Sequence, residues 1–251
     1  MRIDRRSLVS AAALATIAGA RAVAAPTTGG KPPPPEVNAT EDLMREHGVI
    51  RRTLGVYDEL ARRLHTASES VSLDVLGSAA RLMSRFGEGY HEQLEETEVF
   101  PRLTKVGQQK PLIDVLLAQH QAGREFTRAF TASAADKATV DQLTQRSRVA
   151  GQLEQFNRMY RAHAAREDTE LFPAFRSLFS EKAFAAIGDR FEDQETKLLG
   201  AHGFEKALAE VQQLEKALGL DDLARYTAHP CGRAPFYVIS RMVVAMTIRE
   251  I

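Results

Sequence analysis

The chain has one cysteine in 251 residues, Cys231, so no intrachain disulfide can form and any metal site must do without a thiolate cluster. It has no net charge: 33 Lys and Arg stand against 33 Asp and Glu. That balance excludes the basic footprint of a nucleic-acid binder and the polybasic patch of a membrane-surface protein. No stretch alternates apolar and polar residues with Val, Ile and Thr enrichment, so no sheet is expected. The uncharged run at residues 8–20 is too short to cross a hydrocarbon core, which needs roughly 20 residues. A composition of 44% hydrophobic and 26% charged residues is ordinary for a globular protein that buries a sizeable core.

The N-terminus reads as a targeting segment. In MRIDRRSLVS, Arg5 and Arg6 precede an alanine-rich apolar run, and Ala22, Val23 and Ala24 supply the small residues that a signal peptidase accepts. Residues 1–25 are therefore expected to be a signal peptide, of the twin-arginine or the general secretory type, that sends the protein to the periplasm or outside the cell. Its removal deletes more positive than negative charge and leaves a mildly acidic mature chain. Residues 26–37, PTTGGKPPPPEV, favour polyproline II geometry and form a tether rather than a core.

From Asn38 onward the apolar period is helical. Leu43, His47, Ile50, Leu54, Tyr57, Ala61 and Leu64 recur at spacings of four and three after a cap at Asn38 or Thr40. A second stripe holds Leu76, Ala80, Met83, Gly87, His91, Leu94 and Glu98; a third, after Pro111, holds Leu112, Leu116, His120, Gly123, Thr127 and Phe130. The fourth runs through Val149, Leu153, Phe156, Tyr160, His163 and Glu167. Short polar connections favour antiparallel neighbours, so the fold is read as all-α: an antiparallel up-down four-helix bundle over residues 38–175. Residues 176–251 form a C-terminal helical extension, with an amphipathic stretch from Phe204 to Leu218 that stops at Gly219.

Each of the four stripes carries one histidine. His91 and His163 are followed at i+4 by Glu95 and Glu167, which puts an imidazole and a carboxylate on one helical face about 6 Å apart along the axis. His47 and His120 stand alone. The order His, HxxxE, His, HxxxE repeats with spacings of 73 residues between the lone histidines and 72 between the paired ones. The repeated phrases are HEQLEETEVFP and HAAREDTELFP, identical at six of eleven positions. One histidine on an apolar face is usually a satisfied core residue, and one HxxxE is a common surface pair. Four histidines and two carboxylates facing one core are different, because each costs several kcal/mol to desolvate when charged and unpaired. Two equivalent ligand sets predict two metal ions, bound by His47, His91, Glu95, His120, His163 and Glu167, with Glu95 and Glu167 bridging. Imidazole and carboxylate without thiolate suit iron, manganese or zinc. The ferritin template, which needs ExxH twice, is met by Glu88 and His91 but fails where Tyr160 precedes His163.

REHGVIRR, HEQLEETEVFP, AQHQAGRE and HAAREDTELFP, in that order, resemble the four signature segments of the hemerythrin-like (HHE cation-binding) domain. The resemblance covers residues 38–175 and implies two non-haem iron ions on the six residues just named. Oxygen-carrying hemerythrins have a fifth histidine one turn after the third-helix histidine, where Arg124 stands in this chain. They also place an aspartate five residues after the last histidine; Asp168 does so here, while Glu167 fits the repeated HxxxE. Glu92 or a water is the expected completion of the coordination that the missing histidine leaves open.

The leading expectation is an exported metal-binding protein that binds or senses dioxygen, nitric oxide or peroxide. A di-iron peroxidase or oxidase, or a metal-stabilised interaction module, is the alternative. Tyr57 and Tyr160 lie on inner stripes, placed either to hydrogen-bond a bound oxidant or simply to pack. His65, His202 and His229 are read as surface residues, and the His229–Cys231 pair as a weak motif. A protein partner or self-association is assigned to the extension, whose end, PFYVISRMVVAMTI, is apolar but interrupted by Arg241 and is expected to pack back on the bundle or on a second copy.

Overall fold

The computed structural model describes residues 37–228, which are helical with no strand among them. The expected signal peptide, most of the tether, His229, Cys231 and the apolar end lie outside the described residues. Helix α1 spans Ala39–His65 and opens on a reciprocal cap: the Asn38 side chain accepts from the Glu41 backbone N–H, and the Glu41 carboxylate accepts from that of Asn38. Helix α2 is continuous over residues 73–105, α3 is Lys110–Ala135, and α4 runs over residues 143–176. The connections between them, residues 66–72, 106–109 and 136–142, are short.

Helix α1 packs along α4, α2 along α3, and α3 also touches α4, while α1 meets α2, so the four surround one core. Away from the histidines that core holds an aromatic cluster among aliphatic side chains. Tyr57, Phe130 and Phe156 meet edge to face with ring centroids 5.3 to 5.5 Å apart, which favours the quadrupole contact of such pairs. Tyr57 belongs to this packing. Its hydroxyl has no hydrogen-bond partner among the described residues. The far end of α1 is closed by Arg146 of α4, whose guanidinium donates to the carbonyls of Arg63 (2.6 Å), Thr66 (2.9 Å) and Leu64 (3.0 Å). These carbonyls lie at the C-terminal end of α1, where a cation complements the helix dipole.

Two further helices, α5 (Glu181–Leu199) and α6 (Gly203–Leu218), fold over α1 and α2. Glu195 at the corner between them accepts the Phe204 backbone N–H at 2.9 Å, and Gly219 ends α6 at φ 70°, the left-handed geometry that glycine adopts without strain. Arg52 grips Glu215 through both arms of its guanidinium, and Arg45 lies 4.5 Å above the Phe204 ring. The extension is therefore spent, as far as it is described, on covering the first two helices. No described helix is long and apolar enough to cross a membrane.

Candidate metal centre

Helices α2 and α4 are not regular throughout. Backbone bonds widen to the π spacing at Met83–Glu92, Glu95–Val99 and Glu167–Leu171. The last two follow from the repeated Phe-Pro. Proline at 101 and 173 has no N–H to give to the carbonyl four residues back, and its ring crowds that carbonyl, so the preceding turn opens. The Phe100 N–H then reaches the Glu95 carbonyl, and the Phe172 N–H the Glu167 carbonyl, five residues back in each case. Both repeated glutamates thus start a widened turn, and both phenylalanines lie over a lone histidine. Phe172 stacks on His47 at 5.5 Å and Phe100 on His120 at 5.7 Å.

All six residues singled out in the sequence are buried and lie together. The ligand atoms of His47, His91, Glu95 and Glu167 fall within 4.8 Å of one another, and so do those of Glu95, His120, His163 and Glu167. Each carboxylate divides its oxygens between the two groups. Glu167 places Oε2 3.2 Å from His47 Nε2 and Oε1 3.1 Å from His163 Nε2. Glu95 places Oε1 and Oε2 3.5 Å from the Nε2 atoms of His91 and His120 respectively.

The opposite side of every ring is committed. The Nδ1 of His47 lies 2.7 Å from Asp168, that of His91 2.7 Å from Glu46, that of His120 2.9 Å from Glu96, and that of His163 2.9 Å from the side-chain carbonyl of Gln119. Oxygens of these kinds accept, so Nδ1 carries a proton in each ring and Nε2 is the nitrogen left facing inward. Metal-binding histidines are oriented in this way, by an acceptor behind the ring. Inside, by contrast, bonds are missing: His91 Nε2 and all four oxygens of Glu95 and Glu167 are buried without a hydrogen bond. His120 and His163 bring their Nε2 atoms to 3.1 Å, two acceptors facing each other when both rings are neutral. Orphaned acceptors in a dry core are costly unless a cation sits among them, so the donor set fits a metal.

The electrostatics agree. Burial, and then the facing Glu167 charge, push the Glu95 carboxyl well above its ordinary range. Burial depresses His91 and His120. Burial also opposes a charge on His47, but its contacts with Asp168 and Glu167 outweigh it and raise that imidazole. Glu46 is pushed up to about 8 by burial, against the lowering effect of the Tyr90 hydroxyl that donates to it at 2.8 Å. A dication on the far side of the His91 ring is the charge that would draw it back down.

A profile of the hemerythrin HHE cation-binding domain matches residues 38–175. The chain belongs to that family. Uncharacterised proteins of Mycobacterium bovis and Mycobacterium tuberculosis are 39% identical to it over 234 residues, covering 90% of this chain and 91% of each relative. No solved structure matches it. Membership implies metal-ion binding, generally of iron, and the buried histidine and glutamate groups of this hemerythrin-like domain fit a metal site.

Three residues weighed in the sequence take definite places. Asp168 faces the back of His47 and is also gripped by Arg51, so it orients a ring and does not turn into the interior. Glu92 accepts from the Tyr160 hydroxyl and pairs with Arg124 at 2.9 Å. Arg124, set where oxygen carriers have a fifth histidine, reaches Glu96 at 2.6 Å as well. It is the counterpart of Arg51: each arginine follows a lone histidine by four residues and holds the carboxylate behind that histidine. The acceptors Glu46, Glu96 and Gln119 were missed. The signal that would have found them is the repeat itself, since Glu46 and Gln119 each precede a lone histidine, and Glu96 and Asp168 each follow a repeated glutamate. Of the remaining histidines, exposed His65 bonds Glu154 at 3.0 Å, and His202 is also exposed.

Proposed function

We propose that this hemerythrin-like protein is an exported non-haem di-iron protein that binds or senses dioxygen, nitric oxide or peroxide. The single observation behind it is that four inward Nε2 atoms converge on two carboxylates, each of which offers one oxygen to either pair of histidines. His47 and His91 would hold one iron, His120 and His163 the other, and Glu95 and Glu167 would bridge them. Bound iron would supply a redox-active centre to which a small ligand can attach. The chain's own residues fix the imidazoles from behind, exclude bulk water, and keep Glu92, Tyr160 and Arg124 beside the second pair. The packing of α1 along α4 and α2 along α3 supports an antiparallel up-down arrangement of the four helices. The paired arginines and apolar run of residues 1–25 support export, by the twin-arginine or general secretory route, to the periplasm or beyond.

Metal analysis of the purified mature chain, with visible spectra recorded after reduction and after exposure to air or nitric oxide, tests this reading. About two irons per chain and a spectrum that responds to those ligands are expected; a folded, colourless, metal-free protein would overturn it. The di-iron peroxidase or oxidase reading draws on one further observation, the buried Glu92 carboxylate and Tyr160 hydroxyl bonded to each other next to His163. It predicts peroxide consumption that disappears in His120→Ala.

A further inference from the structure

The two histidine pairs have identical inward atoms but unequal backing. Behind His91, Glu46 is 1% exposed and is held by two donors, the His91 ring and the Tyr90 hydroxyl. Helices α5 and α6 close over that side of the molecule. Behind His163 the corresponding position is Gln119, half-buried, for which the ring supplies the hydrogen bond at 2.9 Å. The residue corresponding to Tyr90 is Ala162, which has no hydroxyl to give. The other rings are matched: His47 is backed by Asp168 and Arg51, His120 by Glu96 and Arg124. The asymmetry therefore lies at Glu46 and Gln119.

We propose that the two ions are bound unequally and in order, the His47/His91 ion first and more tightly, because the residue that fixes His91 is doubly anchored and sealed while the one that fixes His163 is not. This rests on the two-ion reading above. A metal affinity depends on how well the ligand ring is held in place before the ion arrives, and removing an acceptor behind a ligating histidine typically costs 10- to 100-fold. Glu46 and Gln119 are positioning residues: neither turns an atom to the ion.

The test is titration of Co2+ alone into the metal-free mature protein against a colorimetric chelator. Wild type should bind two ions in steps separated by about tenfold or more. Glu46→Ala should weaken the tight step and narrow the gap, Glu46→Gln should restore much of it because an amide oxygen still accepts from the ring, and Gln119→Ala should weaken the other step and widen the gap. Circular dichroism of each variant checks the fold. If Glu46→Ala does not fold, Tyr90→Phe, which removes only the second anchor, should narrow the gap by a smaller factor. Two equal steps in wild type, or alanine variants that move the gap in the same direction, overturn the inequality while leaving the two-ion reading intact. Uptake of one ion or none overturns both.

Discussion

Set side by side, the pair on α1 and α2 and the pair on α3 and α4 differ in what stands next to the rings and not in the rings themselves. The first pair has a carboxylate, Glu46, locked behind His91 and a roof of two extra helices. The second has an amide, Gln119, in that place, and beside it a network the first pair does not have: Glu92 bonded by Tyr160 and Arg124, with Arg124 also holding Glu96. Glu92 corresponds to Ala164 across the repeat, and Tyr160 to Glu88. The two hairpins of the repeat thus share the residues that converge on the interior and differ in the layer around them. That layer is where two ions held by the same inward atoms would come to differ.

The change that breaks the comparison outright is loss of a shared carboxylate. Because Glu95 and Glu167 each serve both pairs, Glu95→Ala or Glu167→Ala should cut bound metal from about two ions per chain to nearly none. His120→Ala and His47→Ala should each spare the ion of the other pair. Elemental analysis of the four purified variants distinguishes these outcomes, and a glutamate variant that keeps one full ion would show that its carboxylate serves only one pair.

The arginines come next. Arg51 meets Asp168 at the surface, with 42% of its side chain exposed, so Arg51→Ala should cost no more than about 1 kcal/mol. Arg124 neutralises Glu92, which is almost completely buried, and its removal leaves that carboxylate without its cation. Where Glu92 is ionised, at or above about pH 8, stranding that buried charge costs about 3–5 kcal/mol, and its protonation recovers part of this at lower pH. Denaturant unfolding of Arg124→Ala and Arg51→Ala, both metal-free, should show that difference. Equal losses would mean that Arg124 is as dispensable as its counterpart.

How much of this the sequence disclosed depends on which way a side chain points. The inner stripes were legible because burial imposes a helical period on Leu43, His47, Ile50 and Leu54, and the same period exposes His91 with Glu95 and His163 with Glu167. The all-helical fold, the Asn38 cap and the Gly219 stop followed from equally local rules. What was hidden is the layer behind the rings. Glu46, Glu96 and Gln119 sit next to ligand positions and read as solvent-facing polar residues, since periodicity gives the face of a helix but not the χ angles that turn an imidazole's Nδ1 toward a neighbouring helix. Arg124 was read through what it replaces, a histidine, when its partner in the chain's own repeat, Arg51, describes it better. The π turns were missed although Phe-Pro stood at the end of both quoted phrases, because a proline's effect falls on the turn before it.

Each pair also contributes one buried carboxyl that titrates out of range, and this gives a pH test. Burial pushes Glu46 beside the first pair and Glu92 beside the second up to about 8. A group whose folded pKa is raised holds its proton more firmly when folded, so its stability contribution is present below the unfolded pKa and is lost as pH rises through the folded one. Between about pH 6.5 and 8, where the ordinary imidazole range has been passed, metal-free protein should lose stability with rising pH, each carboxyl contributing at most about 1.4 kcal/mol per pH unit. Glu46→Gln and Glu92→Gln should each flatten that slope by a similar amount. Saturation with metal should flatten it further for Glu46 if an ion at His91 supplies the missing charge. Thermal melts across this window would show it, and a metal-free protein whose stability is flat or rising there would contradict the assignment.

The smallest contrast is between two glycines on the lone-histidine helices. A Cβ at Gly123 would fall 2.1 Å from the Tyr160 hydroxyl and 2.9 Å from two of its ring carbons, in a buried ring with little freedom to retreat. Gly123 is what lets α3 pass close enough for Tyr160 to reach Glu92. Gly123→Ala should destabilise by about 1–3 kcal/mol and disturb the second pair's surroundings, since the ring must move off its bond. A Cβ at Gly48, next to His47, meets nothing within 4 Å. Gly48→Ala should therefore stabilise α1 by up to about 1 kcal/mol, the usual gain when alanine replaces glycine inside a helix, with metal binding unchanged. Opposite shifts in the unfolding midpoints of the two variants would confine the close-packed wall to the second pair. If Gly123→Ala proved as mild as Gly48→Ala, the Tyr160–Glu92 bond would not depend on that approach.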